Sequence, residues 1–349
     1  MNRRDMLKDD CARSIGNQID RISELRNTHL LVTGGTGFVG SWVAEMISHL
    51  NDAYSFGIHL SLLAPHANDF PKYAPHLAQR KDITLLEGDV RNFSDISDNT
   101  DWIIHAAGTP DNRVHLSNPQ KTMETIVLGT NNILQIASRK GCVKRVLVLS
   151  SGLVNGPQSW AHPPVHESVY EGIACDSLTS LYAECKRTAE MIATAYRSQF
   201  GLPVVIARPF TFVGPYQHLD RPWAINNFLH EALRGGPIRL QGNGSTVRSF
   251  MYGSDMAFWI LRILLSGQLN TPYNVGSSVG CSLKELAEIV SKHAPTKPLI
   301  EMNTLPGGGS RISSWIPDVT RAVSDCDLQV NVDLEYAVAK TIAWHLAAE

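Results

Sequence analysis

The 349-residue chain has no run of about 18 apolar residues, so no membrane-spanning helix is expected. Its opening stretch, MNRRDMLKDDCARSIGNQID, is charged throughout and lacks the apolar centre of a secretory signal. The expected compartment is the cytoplasm. Six cysteines, Cys11, Cys142, Cys175, Cys185, Cys281 and Cys326, are scattered without a CxxC pair, which argues against a disulfide framework and for reduced structural thiols. Thirteen histidines include no HExxH or similar ligand spacing, so no metal is expected. The formal net charge is −2 and no basic stripe stands out, which removes the electrostatic case for nucleic acid or an anionic membrane as partner. An anionic small ligand remains compatible, because it needs only one or two well-placed arginines.

What is present is core material and a repeating texture. Hydrophobic residues make up 43% and charged residues 18%, enough for a large α/β domain with a smaller one appended. Short apolar runs recur at THLLVTGG, IHLSLLA (58–64), ITLLEGD (83–89), DWIIHAAG (101–108), VKRVLVLSS (143–151) and LPVVIARP (202–209). Helical stretches fall between most of them, notably 120–140 and 180–200. Apolar strands alternating with helices predict a doubly wound parallel sheet covered on both faces, a Rossmann fold. The expected organisation is a helical extension over 1–28 and a dinucleotide-binding domain over 29–207. A smaller α/β substrate-binding region follows over 208–349, from which a strand near 271–277 can return to the main sheet. In the extension, Met6, Ile15, Ile19, Ile22 and Leu25 fall at roughly helical spacing from 5 to 26, a packing or dimer-contact surface. PGGGS at 306–310 reads as a flexible surface loop.

After the first strand comes Gly34-Gly35-Thr36-Gly37-Phe38-Val39-Gly40, leading into an amphipathic segment. A pyrophosphate needs a tight turn, backbone it can approach closely and a helix N-terminus; Gly34, Gly37 and Gly40 supply these in GxxGxxG spacing. The second strand ends Leu63-Ala64-Pro65-His66, with Asp69 the nearest acid, so the sequence does not separate NAD from NADP. NAD is the expected cofactor, with NADP left open. Asp89-Val90 closes the third strand, where a carboxylate can accept from an adenine amino group. Tyr182-Ala183-Glu184-Cys185-Lys186 puts a phenol and an ammonium on one helix face, a spacing expected to favour phenolate. Ser150-Ser151-Gly152 ends the fifth strand, where a hydroxyl can meet a substrate alcohol or ketone.

These motifs, in this order, resemble the extended short-chain dehydrogenase/reductase family, particularly its nucleotide-sugar epimerase and dehydratase branch. The likeness spans about 29–345: GGTGFVG, HAAG (105–108), SSGLVNG (150–156), YAECK, RPFTFVGP (208–215), RSFMYGSDMA (248–257), YNVGS (273–277) and PDVTRA (317–322). The resemblance implies that Tyr182 removes a proton from a sugar hydroxyl, commonly at carbon 4, while hydride passes to the nicotinamide. Lys186 would hold the nicotinamide ribose and Ser151 would orient the oxygen. It places Thr36, Phe38, Val39, Ala106, Ala107, Gly108 and Pro209 beside the cofactor, with the glycines, Asp89, Val90, Tyr182 and Lys186. Ser151, Gly152, Thr211 and Arg248 would face the substrate, Arg248 on the diphosphate. A nucleotide-diphosphate sugar as partner and a homodimer through helices 120–140 and 180–200 are further implications.

Departures from the pattern narrow the chemistry. Dehydratases of the branch carry an Asp-Glu pair after the catalytic Thr, and sugar-acid decarboxylases a glutamate; here Gly152 and Leu153 carry no proton. Thr211 stands where an asparagine is usual, and Asn155 where a tyrosine is. The expected reaction is therefore 4-epimerisation or 4-keto reduction. Two alternatives stay open: a dehydratase drawing its acid and base from elsewhere, such as Glu167 in the loop beside His166, or a non-catalytic nucleotide-binding scaffold. His166 and Glu167 are expected to be solvated.

Overall fold

A computed structural model of the chain describes residues 3–156, 163–303 and 313–347; the 306–310 loop lies outside them. Seven strands form one parallel sheet: β1 (His29–Thr33), β2 (His59–Ala64), β3 (Ile83–Glu87), β4 (Trp102–His105), β5 (Arg145–Leu149), β6 (Val204–Pro209) and β7 (Pro272–Val275). Their order is β7-β6-β5-β4-β1-β2-β3. The order reverses between β1 and β4, the crevice where such sheets bind ligands at their carboxyl ends. This is the expected Rossmann fold.

The strands read as unbroken apolar runs because successive side chains enter two different cores. Leu30, Val32, Leu60, Leu62, Leu147, Leu149, Val205 and Ala207 face one. Leu31, Leu63, Val146, Val148, Val204 and Ile206 face the other. Helix Phe38–Tyr54 covers the first face, packed against helix Gly253–Ser266. Helices Gly129–Arg139 and Leu181–Phe200 cover the second and pack on each other.

Residues beyond β6 build a lobe of short strands over the carboxyl edge. Val247–Ser249 lies between Gly280–Ser282 and Ser314–Trp315, while Phe212–Val213 pairs with Met251–Tyr252. The chain then re-enters the main sheet, β7 pairing in parallel with β6.

The N-terminal extension is not the single helix its periodicity predicts. Helix Arg3–Ile15 stops at Gly16, whose φ of 54° ends it, and a 3₁₀ segment follows at Ile19–Leu25. Leu7, Cys11, Ile15, Ile22 and Leu25 are fully buried against this same chain. Two carboxylates anchor the helix: Asp10 accepts from Tyr252 (2.7 Å) and Tyr336 (3.0 Å), and Asp255 accepts from Ser14 (2.6 Å). Intramolecular packing, not an exposed dimer surface, explains the periodicity.

Candidate active site

The turn after β1 is glycine-rich because backbone crowds it. Gly34 has φ +68°, and a Cβ there would stand 2.8 Å from the Ala106 carbonyl oxygen; one on Gly40 would collide with the Gly35 carbonyl. Gly35, which the GxxGxxG reading passed over, is equally constrained: its Cβ would meet Leu62 at 2.7 Å. The turn therefore packs edge to edge with Ala106–Gly108. Gly37 caps helix Phe38–Tyr54 without any side-chain hydrogen bond, which leaves the first amides to a ligand.

His105 anchors the β4 edge of this crevice. Thr130 donates its hydroxyl hydrogen to the Ile126 carbonyl (2.5 Å), so its oxygen accepts from His105 Nε2 at 3.0 Å, and Nδ1 accepts from Thr33 at 2.7 Å. Burial pushes the imidazole down to about 3, so it stays neutral.

Ser151, Tyr182 and Lys186 converge at the carboxyl end of β5. Ser151 is buried, accepts from the Leu153 amide at 3.2 Å and hydrogen-bonds the Tyr182 phenol. Lys186 Nζ donates to the Leu149 carbonyl at 2.7 Å and lies 5.8 Å from the Tyr182 ring centroid. It also lies 3.8 Å from the point a Cβ on Gly108 would occupy, which joins the catalytic helix to the β4 turn. The expected acidification of the phenol is reversed here. Burial raises Tyr182 well above its ordinary value, against the Ser151 hydrogen bond, and burial lowers Lys186 to about 8. Desolvation outweighs an ammonium whose hydrogen bond goes to a carbonyl instead of the phenol.

Underneath, Ser150 turns the other way and donates to Glu190 at 2.5 Å. Glu190 receives Arg208 through two hydrogen bonds, 2.8 and 2.7 Å, and Arg208 is fully buried. Sequence reading passed over this pair because 18 residues separate the partners.

The remaining expected residues scatter more widely. Asp89 is clasped by Arg91 through its backbone and guanidinium, 2.7–3.1 Å, and Arg91 lowers its carboxyl. Val90 is buried, and Pro209 ends β6. The Thr211 carbonyl accepts from Met251. Arg248 Nη1 donates to the Val247 carbonyl (2.8 Å) and to Ser313 O and Oγ (3.0 and 3.1 Å). Gly152 abuts Phe210, whose ring edge lies 2.6 Å from where a Cβ would be.

Glu167 is a correction. It is 1% exposed rather than solvated, and Oε1 accepts from the Asn274 amide at 3.0 Å while its backbone carbonyl accepts from Arg208 at 2.8 Å. It ties the 165–170 loop to β7 and β6. His166 is partly exposed and hydrogen-bonds Ser168.

A model of the NAD-dependent epimerase/dehydratase family matches residues 30–276. The chain belongs to that family. It is accordingly an NAD-dependent enzyme of the nucleotide-sugar epimerase/dehydratase type. UDP-glucuronic acid decarboxylase 6 of Arabidopsis thaliana is 31% identical over 298 residues, covering 85% of this chain and 82% of that protein. In fold, the chain is similar to the UDP-N-acetylglucosamine 4-epimerase of Methanobrevibacter ruminantium M1, with a TM-score of 0.77 at 20% identity, covering 92% of this chain and 99% of that one. The UDP-glucuronic acid 4-epimerase of Bacillus cereus, solved with NAD, gives 0.75 at 20%, covering 91% and 96%. The crevice suits the family's cofactor, with an uncapped helix N-terminus, a turn too crowded for side chains at Gly34 and Gly40, and a cation beside Gly108.

Proposed function

We propose that the enzyme exchanges hydride with carbon 4 of a UDP-linked sugar without eliminating a group from it, either oxidising and re-reducing that carbon with NAD regenerated (4-epimerisation) or reducing a 4-keto sugar with NADH consumed. In this reading Gly34, Thr36, Gly37, Phe38, Val39 and Gly40 cradle the NAD pyrophosphate. Asp89 and Val90 flank the adenine, and Ala106, Ala107, Gly108 and Pro209 line the nicotinamide half. NAD supplies the hydride acceptor and donor. Tyr182 exchanges the proton of the sugar hydroxyl, Ser151 orients that oxygen, and Lys186 binds the nicotinamide ribose beside Tyr182. Arg248 holds the diphosphate, with Thr211 and Gly152 against the sugar.

The observation that carries this reading is Gly152. Removing water needs an acid and a base beside carbons 5 and 6, and the position after Ser151 offers none. The adjoining space is taken by Phe210, whose ring lies 4.7 Å from that of Trp315 at a tilt of 31°. Glu167, the substitute considered from the sequence, is buried, with Oε1 accepting from the Asn274 amide and Oε2 3.8 Å from Arg321.

One finding favours a second reading. The Arabidopsis relative is named a UDP-glucuronic acid decarboxylase. Oxidation of a uronic acid at carbon 4 creates a β-keto acid, which releases CO₂ without a dedicated base. Incubation with NAD and, separately, UDP-glucose, UDP-N-acetylglucosamine and UDP-glucuronic acid, followed by chromatography that resolves epimers and by mass spectrometry, separates the two. An isobaric 4-epimer supports the first reading and loss of CO₂ the second. Turnover should fall about 10²–10⁴-fold in Tyr182→Phe with the fold intact. Unaltered turnover in that variant would remove Tyr182 from the mechanism.

We also infer a homodimer through the helices over 119–139 and 181–200, where Met123, Leu128 and Met191 are 45%, 51% and 66% exposed. Light scattering of the purified protein tests this, and a monomeric mass would refute it.

A further inference from the structure

The segment between the HAAG turn and the helix that follows it ends against the catalytic tyrosine. His115 is 4% exposed, and its imidazole lies flat on the Tyr182 ring, centroids 4.6 Å apart and planes 10° from parallel. Its Nε2 is 2.7 Å from the Thr109 carbonyl oxygen. A carbonyl only accepts, so Nε2 carries the hydrogen and the ring is held in one orientation. Four residues earlier, Asp111 is 1% exposed and receives two guanidinium groups. Arg113 Nη2 comes from its own segment (2.8 Å) and Arg221 Nη1 from the lobe beyond β6 (2.5 Å). The segment is thus held at the sheet by Thr109, at the lobe by Arg221 and at the phenol by His115.

We propose that His115 is a positioning residue for Tyr182, and that the Asp111–Arg221 contact transmits the placement of the substrate lobe to it. The inference rests on the reading that Tyr182 exchanges the substrate proton. A phenol on a helix can swing about its Cα–Cβ bond, carrying its oxygen away from the reacting hydroxyl. Ser151 restrains the oxygen end by hydrogen bonding, and Lys186 approaches the ring only to 5.8 Å. The stacked imidazole restrains the ring face, which neither of the others does. Closure of the lobe over a sugar would pass through Arg221 and Asp111 into the segment that ends at His115.

The test uses the full-length NAD-loaded enzyme labelled with 3-fluorotyrosine, the Tyr182 ¹⁹F resonance being assigned by its loss in Tyr182→Phe. In the wild type and in His115→Phe, which keeps a flat ring, this resonance stays displaced by the neighbouring ring current. In His115→Ala it moves to the position of an unstacked fluorotyrosine. On the UDP-sugar that the wild type turns over, His115→Ala loses about 10- to 100-fold in kcat while KM stays within about twofold. His115→Phe recovers most of that loss. Arg221→Gln lowers kcat less, and the double variant with His115→Ala is no slower than His115→Ala alone, as one shared path requires. An unmoved resonance with unchanged kcat in His115→Ala overturns the proposal, as does a His115→Phe variant as slow as the alanine. Multiplied losses in the double variant overturn the part assigned to Arg221. If the wild type turns over none of the sugars, the proposed reaction fails, whereas the ¹⁹F resonance still decides the placement of the ring.

Discussion

Two buried polar networks hold this molecule together, and they solve the same problem differently. Beneath Tyr182, Glu190 meets a full opposite charge in Arg208, and Ser150 fills a further lone pair. Beneath the N-terminal helix, Asp255 accepts from neutral donors, Ser14 at 2.6 Å and the amides of Asn331 and Val332 at 2.9 Å each, with Arg13 acting on it more weakly through space. The consequences for ionisation diverge. Burial opposes the Arg208 charge, but Glu190 prevails and raises its pKa, so it stays a cation. Burial raises Asp255 to about 6, against the pull of its hydrogen bonds. The charge-paired support keeps the Arg208 cation, whereas the Asp255 anchor titrates close to neutrality.

The largest expected effect comes from breaking the paired network. Arg208→Met should leave Glu190 as an uncompensated buried charge and cost about 3–5 kcal/mol in urea denaturation. A loss below about 1 kcal/mol would put the two networks on a par. The next effect is pH-dependent. The folded Asp255 carboxyl binds its proton more tightly than the unfolded chain, whose aspartates titrate near 4. The Asp255 contribution to stability should therefore rise as pH falls through 6 towards 4, by an amount on the order of 2 kcal/mol, read as the difference between the wild type and Asp255→Asn. Asp255→Asn should flatten that rise; an equal slope in both proteins would assign the proton elsewhere. The smallest effect is Ser14→Ala, which removes one donor to Asp255. It should cost about 1 kcal/mol at pH 7.5 and less at pH 5, where the carboxyl is protonated.

The parts of the site legible in the sequence are those whose chemistry is local. The glycine turn, the Tyr182–Lys186 spacing and the Ser150–Ser151 strand end each lie within seven residues, and strand periodicity located the sheet. The direction of the Tyr182 shift was not legible, because it depends on how deeply the fold buries the ring. Glu167 reads as a polar loop residue until β7 returns to the sheet and brings the Asn274 amide to it across 107 residues. His115 lies 67 residues from the ring it covers. The helical spacing over 5–26 was real, but Gly16 breaks it and burial against the chain's own helix Gly253–Ser266 accounts for it.

The most direct test of the account follows the hydrogen on carbon 4. Reaction of the enzyme with UDP-glucose deuterated at that carbon should give a 4-epimer of unchanged mass with the deuterium retained, because the hydride leaves and returns within one closed site. A product lighter by water, or one whose deuterium has exchanged with solvent, would contradict it.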